Sequence, residues 1–233
     1  DPENRREVIC GGYSAVRTTY RDDTWILDLA SGDGRWVQHS PSAPHPAARR
    51  GASIVYQRIA DGSTPVERLI LFGGYNQDTN FNDVWAFDLR PAHEGWTEIE
   101  PSGAALKPRD GHAAIYDAAH GRMIVYGGWE RLRVDRTLSD VWSLDLTPGA
   151  ECWTELRPGG VNVTALTWAP MVYGPCPGHE RGVFYGGYTG TRSSADVWSL
   201  ASDTPRAETW SRLEVTGGRP RGGLRPQGRL AQR

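Results

Sequence analysis

Aromatic and arginine side chains gather directly after four Gly-Gly pairs, and these are the residues of this 233-residue chain best suited to recognition chemistry. Tyr13 and Arg17 follow Gly11-Gly12, and Tyr75 and Asn76 follow Gly73-Gly74. Trp129, Arg131 and Arg133 follow Gly127-Gly128, and Tyr188 and Arg192 follow Gly186-Gly187. Tyr, Trp and Arg join a large contact area to a polar or bidentate handle, the combination that interface hot spots need. The arginines are of a type to grip carboxylates on an acidic peptide or glycan. Two readings stand for each leading aromatic: contact with a partner, or a cover over the backbone of the adjacent turn. Arg50 and Arg109 lead into predicted innermost strands, so they are expected near the same end and complete the set.

Catalytic constellations are thin. The histidines His39, His45, His93, His112, His120 and His179 are scattered over different segments without metal-ligand spacing. His112 lies in a predicted innermost strand, where a hydrogen-bonded core or lining role outweighs ligation. Asp23, Asp83, Asp140 and Asp196 each stand two residues before a tryptophan. A catalytic carboxylate is needed once rather than once per unit, so these four are read as turn caps that accept backbone N–H groups. No cofactor and no metal centre is expected.

The elements that position these groups repeat. Each Gly-Gly pair is followed by Asp-x-Trp at Trp25, Trp85, Trp142 and Trp198, spaced by 60, 57 and 56 residues. A second tryptophan follows eleven or twelve residues later, at Trp36, Trp96, Trp153 and Trp210. A period of this length marks a stacked array or a propeller. The third unit reads most plainly: a strand over 111–117, a turn at Gly121-Arg122, a strand over 123–126, a strand over 140–146, and an outer strand over 153–156. Trp142, Leu144 and Leu146 alternate onto one face of the third of these. The second unit repeats the pattern over 50–56, 69–72, 84–89 and 96–99, and the fourth over 169–173, 183–185, 197–200 and 210–213. The first unit opens at Val8-Ile9-Cys10 and lacks an innermost strand. Eight tryptophans are thereby expected as inward-facing scaffold, and the glycine pairs as sharp turns with positive φ.

Composition fits short strands and tight turns, with 28 Gly, 16 Pro and 2 Met, and no apolar run of membrane-spanning length. The formal charge is −2, but Arg219, Arg221, Arg225, Arg229 and Arg233 make a basic ending without acids, so the first 218 residues carry −7. Binding to nucleic acid and insertion into a membrane are not expected of this body. Cys10, Cys152 and Cys176 form no metal-type pair; free thiols and a Cys152–Cys176 disulfide are both open. Asn162-Val163-Thr164 is a sequon that a chance match explains. Localisation is not legible, because the chain begins inside a repeat.

The Gly-Gly pair after a strand, the Asp-Val-Trp-x-Leu-Asp strand and the trailing tryptophan resemble the kelch repeat over roughly residues 6–215. The resemblance implies an all-β, kelch-type β-propeller of the galactose oxidase-like superfamily, with about four blades of four-stranded antiparallel sheet. The blades are expected at about 6–40, 48–101, 108–158 and 165–216, with 219–233 as an irregular tail. Relatives of this kind close six or seven blades, which implies an incomplete arc and a fragment of a longer product. A closed four-bladed ring finished by the tail is the alternative. Blade four departs from the pattern, with Leu166-Thr167-Trp168 in place of Arg-x-Gly and Ala201 in place of an Asp.

The resemblance implies a non-catalytic repeat protein that binds a protein partner through loops at one propeller mouth. The competing class is an enzyme or carbohydrate-binding propeller, similar to galactose oxidase or to sialic acid mutarotases. The Glu-x3-Asp-x3-His triad of iron-dependent specifier proteins is absent from this sequence. The two flanks of such an arc would expose apolar surface prone to association.

Overall fold

The computed structural model describes residues 5–30, 32–39, 44–59, 65–90, 93–132, 135–176, 179–202, 204 and 207–217, without the side chains of residues 175, 176, 179 and 180. The expected irregular tail, Arg133 and the state of Cys176 lie outside those residues. Among the described residues every regular element is a strand. The strands form antiparallel sheets of kelch-propeller blade type, divided between two compact units, Asp1–Glu100 and Pro101–Arg233.

The first unit holds two sheets. One consists of β1 (Arg6–Ser14), β2 (Thr19–Asp28) and β3 (Arg35–His39); the other of β4 (Ser53–Ile59), β5 (Val66–Asn76), β6 (Thr79–Asp88) and β7 (Gly95–Ile99), each in sequential order. Here the Gly-Gly pairs do not end a strand, as the sequence suggests. They form bulges, with the register shifting between Cys10 and Gly12 and between Phe72 and Gly74, and the strands run on to Ser14 and Asn76. A bulge adds a residue to one side of the ladder and bends it without breaking it. The segments expected as loops are therefore hairpin arms in this unit.

Leu69, Leu71, Trp85, Phe87, Leu89 and Trp96 of the second sheet form a core against Val8, Cys10 and Ile26 of the first. The Trp96 indole N–H also donates to the Thr24 hydroxyl at 3.1 Å, tying the two sheets together at a buried point. The first sheet corrects the expectation for its own tryptophans. Trp36 is 46% exposed, as is Ile9, while Trp25 is half-buried. Alternation explains it: Val8 and Ile26 face the second sheet, which turns Ile9, Trp25, Leu27 and Trp36 to the opposite side. Among the described residues no sheet of this unit covers that side.

The second unit contains β8 (Ser102–Gly103), β9 (Ala113–Asp117), β10 (Arg122–Tyr126), β11 (Trp129–Glu130), β12 (Arg136–Thr137), β13 (Val141–Asp145), β14 (Cys152–Leu156), β15 (Gly159–Gly160), β16 (Met171–Cys176), β17 (His179–Tyr185), β18 (Val197–Ala201) and β19 (Thr209–Arg212). Its two large sheets run β8-β14-β13-β10-β9 and β15-β19-β18-β17-β16, and β11 pairs with β12 as a separate ribbon. The expected four strands are all present in each. A fifth, two-residue strand lies parallel on the outer edge, β8 on β14 and β15 on β19, which the sequence reading did not foresee.

Between these sheets Phe184, Trp198, Leu200 and Trp210 pack on Ala113, Ile115, Ile124 and Tyr126. Trp210 lies 5.1 Å from the Tyr126 ring and 5.5 Å from Phe184, edge to face in both cases. A buried polar chain runs beside this core, with Arg122 donating to Asp117 at 2.8 Å and to Glu208 at 2.7 Å, and Tyr173 donating to Asp117 at 3.1 Å. Cys10 and Cys152 are free thiols, and burial raises the pKa of Cys10 although the Thr24 hydroxyl and Arg49 act against it.

Trp210→Ala removes a ring that is 5% exposed and should cost roughly 3–5 kcal/mol in urea unfolding of this chain. Trp36→Ala should cost about 0.5 kcal/mol or less. Equal losses from the two would contradict the packing direction described above.

Candidate functional site

In the second and third blades the end that carries the Gly-Gly pair is built on a buried guanidinium. In the first unit Arg49, 2% exposed, donates to both oxygens of Asp83 at 2.5 and 2.8 Å and to the Gly73 carbonyl at 3.1 Å. In the second unit Arg109, fully buried, donates to both oxygens of Asp140 at 2.8 Å and to the Gly127 carbonyl at 2.9 Å. The same carboxylates accept the indole N–H of the tryptophan two residues on, at 2.7 Å from Trp85 and from Trp142. The aspartates are thus side-chain hubs rather than the expected caps on backbone N–H groups. Burial alone would raise the pKa of Asp140, but the hydrogen bonds and charge of Arg109 and the Trp142 indole hold it below the usual carboxylate range.

Each hub also joins neighbouring sheets inside its unit through the backbone. Gly12 N–H donates to the Arg49 carbonyl at 2.7 Å, and Gly128 N–H donates to the Leu166 carbonyl at 2.9 Å. Gly11 has φ +68°, and a Cβ there would stand 2.8 Å from the Arg49 carbonyl oxygen, so glycine is required on two counts.

Two side-chain clusters stand on these corners. In the first unit the guanidinium carbon of Arg50 lies 5.0, 5.9 and 5.8 Å from the ring centres of Tyr13, Tyr20 and Tyr75. Tyr13 and Tyr20 are 5.0 Å apart, and Tyr20 and Tyr75 are 6.0 Å apart. In the second unit Trp129 and Tyr188 stack at 6.1 Å, and the Arg131 guanidinium sits 4.5 Å from the Trp129 ring while pairing with Asp110 at 2.8 Å. The Trp129 indole donates to Asp135 at 2.9 Å. Arg50, Asp110 and Thr167 occupy corresponding places, each bridged through its backbone to the aromatic after a Gly-Gly pair, Tyr75, Trp129 and Tyr188.

A family profile for the KLHDC2/KLHL20/DRC7 kelch-repeats domain matches residues 64–225, from just before β5 onwards. The chain belongs to this kelch-repeat family. It is 30% identical over 225 residues to Adagio-like protein 3 of Oryza sativa subsp. japonica, covering 91% of this chain and 31% of that protein. It is 32% identical over 111 residues to Kelch repeat-containing protein 2 of Saccharomyces cerevisiae, covering 46% of this chain and 12% of that protein. With Dynein regulatory complex subunit 7 of Chlamydomonas reinhardtii it shares 31% identity over 90 residues, 39% of this chain and 7% of that protein. The kelch chain thus spans less than a third of the length of these relatives.

Within the kelch blades the expected binding residues separate. Tyr13, Arg50 and Tyr75 meet in one cluster, and Trp129, Arg131 and Tyr188 in the other. Arg17 and Arg192 are exposed at hairpin or loop tips. Arg109 leaves the binding set, because its guanidinium is sealed inside the scaffold by Asp140 and backbone carbonyls. Asn76 is occupied as a turn former, its amide oxygen accepting from Asp78 and Thr79 N–H and its amide nitrogen donating to Ala48. Tyr20 and Asp110 are cluster members that the sequence reading missed. A hairpin register placing Tyr20 opposite Tyr13 was the signal for the first.

Blade four meets its missing arginine differently. Leu166 stands in the hub position, Asp196 instead pairs with Arg212 and accepts from Ser194, and Trp168 takes φ +59° where Gly51 and Gly111 have +67° and +62°. The Trp168 N–H reaches the Gly111 carbonyl at 2.6 Å, which anchors that strained residue to the adjacent blade.

Arg109→Ala leaves Asp140 without its cation and should lower stability by about 3 kcal/mol, with the Arg109→Ala/Asp140→Ala double variant losing less than the sum of the singles in a denaturant cycle. His112 gives a pH signature. Burial, assisted by Arg109, lowers its pKa from 6.5 to about 3. The unfolded chain therefore binds a proton that the folded chain refuses between these values, and stability should fall as pH drops through that window. His112→Gln should flatten this slope in urea titrations, and an unchanged slope would contradict a neutral buried imidazole.

Proposed function

We propose that this chain is a non-catalytic kelch-repeat binding module that engages a protein partner through the side chains at the Gly-Gly ends of its blades. The observation that carries the reading is the partition of arginines: Arg49 and Arg109 are locked into the scaffold, while half-buried or exposed Tyr, Trp and Arg side chains cluster with one another at the same corners. Rigid support beneath a patch of aromatic and guanidinium groups lowers the ordering cost of binding, and such residues dominate interface energetics. Membership of the kelch-repeat family supports a role in protein association. One relative, Dynein regulatory complex subunit 7, bears the name of a complex component, which agrees with that role.

The test begins with partners retrieved by the full-length protein and rebuilt pairwise from purified components. Trp129→Ala/Tyr188→Ala/Arg192→Ala leaves Arg131 on Asp110 and the scaffold hub intact. It should weaken the rebuilt complex about 30-fold or more, equivalent to about 2 kcal/mol, with little change in thermal midpoint. Unaltered affinity would remove the second unit's cluster from the interface.

A further inference from the structure

We propose that the Tyr13/Tyr20/Arg50/Tyr75 box is a receptor for a carboxylate, supplied by an acidic side chain of the protein partner. The inference rests on the protein-binding reading above and names the chemistry that one of its clusters selects.

Arg50 is fixed at its backbone by reciprocal bonds with Tyr75, each at 2.9 Å, so its side chain starts from a defined point beside the first unit's corner. Three tyrosine rings surround the guanidinium, and ring faces attract a cation without accepting its in-plane N–H groups. The Arg50 Nε is buried and has no hydrogen-bond partner, and no carboxylate pairs with Arg50 among the described residues. An unmade hydrogen bond at a buried donor is costly, more so for a charged group. Neighbouring Arg49 cannot share an incoming anion, since Asp83 already holds it at 2.5 Å.

The second unit contains the completed version of this arrangement. There Arg131 lies on Trp129, and its Nε donates to the fully buried Asp110 at 2.8 and 3.0 Å. Asp110 occupies the place that Arg50 holds in the first unit. One corner therefore neutralises a guanidinium stacked on an aromatic with a carboxylate of its own, and the other keeps the stacked guanidinium and has none. Tyr13, 38% exposed, is the wall of the box that meets solvent, and it gives an acidic side chain a way in. A single guanidinium framed by tyrosines matches a monoanionic, bidentate carboxylate; a phosphate dianion calls for more than one cation.

The experiment follows the Arg50 Nε–H signal by NMR in the chain labelled with 15N-arginine, the signal being assigned by its loss in Arg50→Lys. The probes are N-acetylglutamic acid α-amide for a side-chain carboxylate, N-acetylglycine for a chain-terminal one, inorganic phosphate, and sodium chloride. The expected result is a saturable shift with the glutamate probe in the millimolar range, and a two- to fivefold weaker response in Tyr13→Ala. Tighter binding of N-acetylglycine overturns the side-chain source, and tighter binding of phosphate overturns the choice of carboxylate. No saturable shift with either carboxylate, or the same shift with chloride, overturns the site itself. Because no protein partner enters this assay, a silent Arg50 leaves the binding-module reading standing, whereas a responsive Arg50 with failed partner binding removes that reading alone.

Discussion

A buried guanidinium at the Gly-Gly corner is the interaction on which the second and third blades depend. Arg49 and Arg109 each bind a carboxylate with two hydrogen bonds and a glycine carbonyl with a third. A charge this deeply buried is tolerable only if nearly every donor finds an acceptor. That demand fixes the aspartate, the aspartate fixes the indole two residues on, and the indole carries the ring that fills the space beside the sheet. The Asp-x-Trp spacing is thus the shortest stretch of strand that lets one carboxylate hold both an arginine and a tryptophan.

The rigid corner has a functional consequence. After three of the four Gly-Gly pairs the next residue is bridged to the segment leading into an innermost strand, so Tyr75, Trp129 and Tyr188 stand at set points rather than on free loops. In the first unit the bulged strands extend past the glycines and bring Tyr13 and Tyr20 together across a hairpin. Recognition chemistry then depends on what fills the neighbouring position. Arg50 there leaves a cation among tyrosines, Asp110 draws Arg131 down onto Trp129, and Thr167 bonds the Gly111 carbonyl at 3.1 Å and carries no charge. One backbone frame thus carries three different surface chemistries.

The departures of blade four show how much the frame can bend. With Leu166 in the arginine position, Asp196 turns to Arg212 at the end of β19, an exposed pair that contributes little. Trp168 is held in a left-handed conformation that its glycine counterparts adopt freely. Its backbone N–H bond to Gly111 and its contact with that glycine offset part of the strain, so the irregular blade leans on its regular neighbour within the unit.

The sequence by itself determined the repeat and the strand order within each unit, because tryptophan, aspartate and glycine pairs recur with a fixed period, and those motifs carried the resemblance to the kelch repeat. It also marked Tyr13, Arg50, Tyr75, Trp129, Arg131 and Tyr188 as recognition groups, since their types and their place after the glycines are local facts. Tertiary structure alone decided what those groups do. Arg109 and Arg50 look alike in sequence, yet one meets a half-buried carboxylate 31 residues away and the other lies among tyrosine rings. Trp36 and Trp96 share a motif position, yet burial depends on which face of the sheet has a neighbour. Partner and solvent are properties of space, and a linear period carries information about spacing only.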